Sequence, residues 1–177
     1  MAATSYPWYE STTGEDLEQG DLFEAFPVYQ PPEELAGGET LSPMFDVDDR
    51  DVVLLTQTCD LVAGREKVSH IVVCPVWPVA DFREGVLANP KGREEARRGN
   101  LPAYHMLAAC GLAGFERECR VVDFRQLFSL PLAFTRRKAG LVDRRLRLLP
   151  PYREHLAQAF ARFFMRVGLP LDIPPFR

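Results

Sequence analysis

Two apolar runs stand almost back to back in this chain, Asp51-Val-Val-Leu-Leu-Thr-Gln-Thr-Cys59-Asp60 and Ser69-His-Ile-Val-Val-Cys-Pro-Val-Trp-Pro78. Each is short, rich in β-branched residues and bounded by polar or turn residues, the pattern of buried strands. The polar link Leu61 to Val68, with Gly64, Arg65, Glu66 and Lys67, makes the pair a long-looped hairpin. Upstream, Leu22-Phe-Glu-Ala-Phe-Pro-Val28 alternates as a third strand, closed by Pro31-Pro32 and an acidic loop from Glu33 to Ser42. Downstream, the pattern predicts two short helical pieces between 79 and 100, broken at Asn89-Pro90-Lys91-Gly92. It then predicts a short strand or turn at Tyr104–Leu107, a strand at Arg120–Phe124, an extended stretch at Phe128–Phe134 and partial alternation from Leu141 to Leu149.

The C-terminal pattern is helical. Leu156, Ala159, Phe160, Phe163, Phe164 and Val167 recur on one face, while Arg153, Glu154, Gln158, Arg162 and Arg166 take the other. Pro150-Pro151 suits its start, and Gly168 with Pro170 suits its end. The face is aromatic enough to require a sheet beneath it. Residues 1–18 read as an N-terminal arm in which Pro7-Trp8-Tyr9 docks on the body. The pattern therefore predicts an α+β protein: the arm, then one β-rich domain over 19–177 with a helical insertion near 79–100 and an amphipathic helix near 151–167.

With 177 residues and 46% hydrophobic content the chain can bury one substantial core. No apolar stretch approaches the roughly 20 residues that span a bilayer, and the first residues lack a basic region followed by an apolar one. No membrane association and a cytoplasmic location are therefore expected. The four cysteines, Cys59, Cys74, Cys110 and Cys119, show no paired spacing and read as free thiols.

Charge changes the picture more. Thirteen acidic residues and a single base, Arg50, precede Val52, while the remainder holds twelve acids and twenty bases. Either the acidic front lies against a basic surface, or it is a solvated lead-in; it could also receive a protein partner. The densest basic stretch contains Arg136, Arg137, Lys138, Arg144, Arg145 and Arg147 against the lone Asp143. Such a cluster contacts RNA or DNA phosphates, with Phe134 or Tyr152 stacking on a base, or else pairs with the acidic front. Arg145 and Arg147 alternate as the outer face of a strand would.

Gln57-Thr58-Cys59-Asp60, at the end of a strand, gathers groups that ionise, hydrogen-bond or attack. A thiol enzyme would use Cys59 as nucleophile, Asp60 or Gln57 to orient it, and His105 or His155 as base. Metal sites fare worse: His70 and Cys74 share a strand face without the paired spacings of zinc, and Asp46-Val-Asp-Asp-Arg-Asp51 lacks the glycine and glutamate of a calcium loop. No metal and no cofactor is assigned.

Gly20-Asp21-Leu22-Phe23, then Arg50-Asp-Val-Val-Leu-Leu-Thr56, then His70-Ile-Val-Val-Cys-Pro-Val76 resembles the opening of the PemK/MazF-like toxins. The resemblance covers about residues 20–78 and implies an SH3-like, strongly bent β-barrel. In that family an Arg leading the second strand and a Thr past the proline of the third cleave RNA. Arg50 matches the first position; Trp77 stands at the second and cannot donate as a hydroxyl does. What the resemblance implies is thus an interaction module of the toxin-like fold, in a bacterial toxin or defence setting. It would hold nucleic acid or a partner protein through Arg50, Gln57, Cys59 and Asp60 and the 136–147 segment. An endoribonuclease with an altered site is the alternative, and the thiol enzyme a third.

Overall fold

A computed structural model describes residues 6–31, 33–37 and 46–165. It contains an eight-stranded antiparallel sheet and three helices: β1 (Tyr9–Thr12), β2 (Asp21–Gln30), β3 (Asp46–Leu54), β4 (His70–Pro78), α1 (Pro90–Arg97), β5 (Tyr104–Leu107), β6 (Arg120–Asp123), β7 (Phe128–Pro131), α2 (Leu132–Leu141), β8 (Arg145–Leu148) and α3 (Tyr152–Phe164). The strand order is β1-β8-β2-β3-β4-β6-β5, and β7 also pairs with β4.

β3 and β4 form the expected hairpin, with Val52 opposite Pro75 and Leu54 opposite Val73. Their runs are continuously apolar because both faces of the sheet are covered. Val53, Cys74 and Val76 point into one core with Leu22, Val122, Phe124, Leu148 and Leu156, while Val52, Leu54, Ile71 and Val73 point into a second with Phe26, Val28, Leu130 and Leu132. A third cluster, Val79, Leu87, Ala96 and Val121, fixes the insertion. Bending begins in β2, where the register against β3 slips between Phe23 and Phe26. Ala25 there takes a positive φ of 46° and donates its N–H to Asp51 Oδ1 at 3.1 Å. The curvature carries the two end strands onto one core: the Tyr9 hydroxyl of β1 donates to the Ala108 carbonyl just past β5 at 2.7 Å.

Gly20-Asp21 has a structural explanation. Gly20 adopts φ +88°, and a Cβ there would come within 2.9 Å of Leu148 Cβ, so only glycine lets β2 start this close to β8. Its N–H donates to Leu54 O and its carbonyl accepts from Leu148 N–H. Asp21, fully buried, then accepts from Arg145 Nε at 2.9 Å and from Arg147 Nε at 2.5 Å and Nη2 at 3.0 Å. Arg147 and Arg153 both reach Glu18 at 2.6 Å, and Arg145 also donates to the carbonyls of Gly14 and Asp16. The charge asymmetry of the sequence is thus closed within the molecule over this stretch.

Several elements differ from expectation. The first hairpin strand ends at Leu54 rather than Asp60, and Thr58–Asp60 make a 3-10 turn. The expected break at Asn89–Gly92 is where α1 begins: Asn89 caps it, accepting from Gly92 N–H at 2.8 Å, and Pro90 occupies the first turn. The stretch Phe128–Phe134 is extended only to Pro131, after which α2 starts with Leu132, Thr135 and Ala139 buried on one side. A threonine in that stripe and a proline before it hide the helical period. α3 appears as expected over the described residues; Arg166 to Pro170 lie outside them.

Removing Asp21 leaves two buried guanidiniums without their carboxylate, a loss of about 3–5 kcal/mol. Asp21→Ala is therefore expected to lower the urea midpoint sharply, whereas Glu154→Ala at the solvent-exposed end of the network changes it little.

Candidate functional site

The sequence-predicted residues fall into separate places. Arg50 leaves β3 toward Trp77 of β4: its guanidinium carbon lies 5.2 Å from the indole centroid and its Nη2 bonds Asp48 at 2.6 Å. The two positions matched to the toxin family are therefore neighbours, yet the cavity they share is lined by Asp48, Asp49, Asp51 and Asp81. Carboxylates on every side repel a scissile phosphate, and no hydroxyl stands there to donate to one.

Cys59 is exposed, and its thiol faces Asp60 Oδ1 at 3.5 Å. Asp60 also accepts from Lys67 at 3.1 Å, which holds its carboxyl below the usual range. His105 lies elsewhere, on β5 beside the Phe124 ring, and no contact among the described residues joins it to Cys59. Cys74, on β4, donates to the carbonyls of Asp123 and Gln126, and burial raises its pKa far above the ordinary thiol range. Among the described residues no three His, Cys, Asp or Glu side chains group to hold a metal ion.

The basic segment divides. Arg145 and Arg147 are 2% and 8% exposed and committed to Asp21, so they are lost to phosphate contact; the alternation in β8 marks a buried strand, not an outer face. Arg136 pairs with Glu66 and donates to Leu61 O. Phe134 packs edge-on against Phe26 and Tyr29. Arg137, Lys138 and Arg144 make no ion pair among the described residues, but α2 and the following loop spread them apart from any shared cavity.

The concave site lies where three elements meet. α1, β5 and α3 enclose a groove of about 580 Å³ whose wall includes Trp8, Arg97, Arg98, His105, Tyr152, His155 and Arg162. α3 buries Leu156 and rests Phe160 and Phe163 on the core, which turns His155, Gln158 and Arg162 toward the groove. Its first residue, Tyr152, stacks on Trp8 with ring centroids 3.7 Å apart and planes at 9°. Trp8 is held there because its carbonyl accepts from Leu149 N–H at 2.9 Å, beside the β1–β8 pairing. On α1 Glu94 takes both Arg97 and Arg98, at 2.6 and 2.7 Å. Three guanidiniums thus face the groove against one carboxylate that engages two of them.

His105 sits in the floor with Nε2 buried and unpartnered. Burial, and then the neighbouring His155, push its pKa down to about 4, so the ring is neutral at physiological pH. Of these groove residues the sequence pointed to His105, His155, Tyr152 and the docking of Trp8. Arg97, Arg98 and Arg162 read only as solvated faces of helices, and nothing short of the α1–α3 approach distinguishes them. No protein-family model and no curated protein matches the chain.

Two outcomes follow. His105 takes up its proton in the unfolded chain near pH 6.5 but in the folded one only near pH 4, so the unfolded state holds more protons between those values. Stability should be full above pH 6.5 and fall by about 2–3 kcal/mol as the pH drops through that window; urea titrations of His105→Phe should lose that slope. The second outcome concerns the thiols. Cys59 has no histidine base beside it, so maleimide should label Cys59 and Cys119 at similar rates, with Cys74 and Cys110 reacting only on unfolding.

Proposed function

We propose that this protein is a binding module for single-stranded nucleic acid, with the groove between α1, β5 and α3 as its binding site. One observation carries the reading: a paired aromatic platform, Trp8 on Tyr152, stands in the same groove as Arg97, Arg98 and Arg162. Bases have π-faces that stack on such a platform whatever their sequence, and guanidiniums bind the phosphates between them. In the same groove His155 and Gln158 add hydrogen-bonding edges.

The toxin-like barrel remains the architecture we infer. The strands that carry the PemK/MazF-like resemblance, β2, β3 and β4, are sheet neighbours in succession, and the bulge in β2 bends them as a small barrel requires. Ribonuclease activity through Arg50 draws no support from its acidic surroundings. A protein partner reached through the acidic front loses Glu18 and Asp21, which are turned onto Arg145, Arg147 and Arg153.

Titration with a fluorescently labelled single-stranded RNA of mixed sequence at low salt tests this. Binding is expected to quench Trp8 emission and weaken steeply as salt rises. Arg162→Ala should weaken it about three- to tenfold and flatten the salt dependence by about one phosphate contact; Arg137→Ala should leave both unchanged. Equal effects of the two substitutions would move the site off the groove. Incubation of the same RNA without cleavage, in wild type and Arg50→Ala alike, is expected on a denaturing gel.

A further inference from the structure

Arg120 is 3% exposed, yet no carboxylate meets it among the described residues, and its Nε and Nη2 are buried without a hydrogen-bond partner. A guanidinium is always charged, and burying one without a counter-charge costs several kcal/mol. Its polar neighbour is the Tyr9 hydroxyl, which accepts from the guanidinium and donates to Ala108 O; burial pushes the Tyr9 pKa up to about 12, so Tyr9 stays neutral and supplies no negative charge. Arg120 instead borders a cavity of about 80 Å³, which it shares with Phe23, Glu24, Phe115, Arg144 and Arg145.

The cavity is built around positive charge. Arg144 lies over the Phe115 ring at 5.2 Å and carries no ion pair among the described residues. Arg145 adds field, with three of its five N–H donors already spent on Asp21 and the carbonyls of Gly14 and Asp16. The one carboxylate on the wall, Glu24, is engaged by Arg117 at 2.7 Å. The cavity is small, with room for one small oxyanion.

We propose that the cavity between β2, β6 and β8 is a binding site for a small oxyanion of the phosphate or sulfate type, held by the Arg120 guanidinium in its wall and by Arg144 at the mouth. The fork of Arg120 suits two oxygens of one anion, as in bidentate guanidinium–phosphate pairs. The site is separate from the groove and stands whether or not the groove binds nucleic acid.

Thermal melts of the full chain should be recorded against sodium phosphate, sodium sulfate and sodium chloride at matched ionic strength, with a 5′-phosphorylated dinucleotide as a fourth arm. Phosphate and sulfate are expected to raise Tm saturably, and chloride to give only the shallow trend of screening. Arg144→Ala, a surface change, should weaken the apparent affinity about tenfold, and Arg120→Met should abolish the effect; Arg120→Lys serves if the methionine variant does not fold, and should weaken it by a similar factor by losing the fork. A response to the dinucleotide equal to that of phosphate assigns the site to terminal phosphates; a response to phosphate alone assigns it to the free ion. Equal stabilisation by chloride, or an undiminished phosphate response in Arg144→Ala and in the Arg120 variant, overturns the proposal.

Discussion

A single buried carboxylate organises this molecule. Asp21 begins β2, is closed off from solvent, and accepts from both arginines of β8. A charge in that position is tolerable only if paired and fully hydrogen-bonded, and each guanidinium in turn needs its remaining donors satisfied. The acidic lead-in answers this: Gly14 and Asp16 offer carbonyls, and Glu18 offers a carboxylate that also takes Arg153 from the start of α3. Lead-in, β2, β8 and α3 are therefore fixed by one network. The Trp8–Tyr152 stack is a consequence, because Trp8 precedes the strand that pairs with β8 and Tyr152 precedes Arg153.

The groove and the oxyanion cavity both arise from how the sheet bends. Because β2 is bulged and both sheet faces are buried, β1 and β5 approach through the Tyr9–Ala108 bond, and α3 crosses the resulting core. The insertion carrying α1 has its own small core around Leu87 and Ala96, and it brings Arg97 and Arg98 opposite α3. Gly92 permits this packing, since a Cβ there would overlap the Val86 carbonyl. Arg120, at the start of β6, is drawn inward by the same curvature, which buries its guanidinium away from any acid.

Much of the framework was legible from the pattern of residues, for identifiable reasons. The hairpin of β3 and β4 shows as two continuous apolar runs because both of its faces are buried, and α3 shows because its apolar stripe keeps the helical period. Where one side chain breaks the pattern, the signal fails: Thr135 interrupts the buried stripe of α2, and Asn89-Pro90 reads as a turn although it is a helix start. For function, the densest run of bases left two readings open, phosphate contact or pairing with the acidic front, because sequence cannot say which arginines are turned inward. Arg145 and Arg147 are structural, while Arg97, Arg98 and Arg162, scattered over two helices, share one groove. The toxin-like positions Arg50 and Trp77 do meet, but three of the carboxylates around them stand on β3 itself and the fourth, Asp81, on the turn after β4.

Ultraviolet cross-linking of a photoreactive single-stranded RNA to the full chain, with the attached peptides mapped by mass spectrometry, addresses the central claim most directly. Cross-links should concentrate on Trp8, Tyr152 and His155, on the segments that bracket the groove, and diminish as salt is raised. Cross-links gathered instead on α2 around Arg137 and Lys138, or beside Arg50 and Trp77, would contradict the assignment of the groove as the binding site.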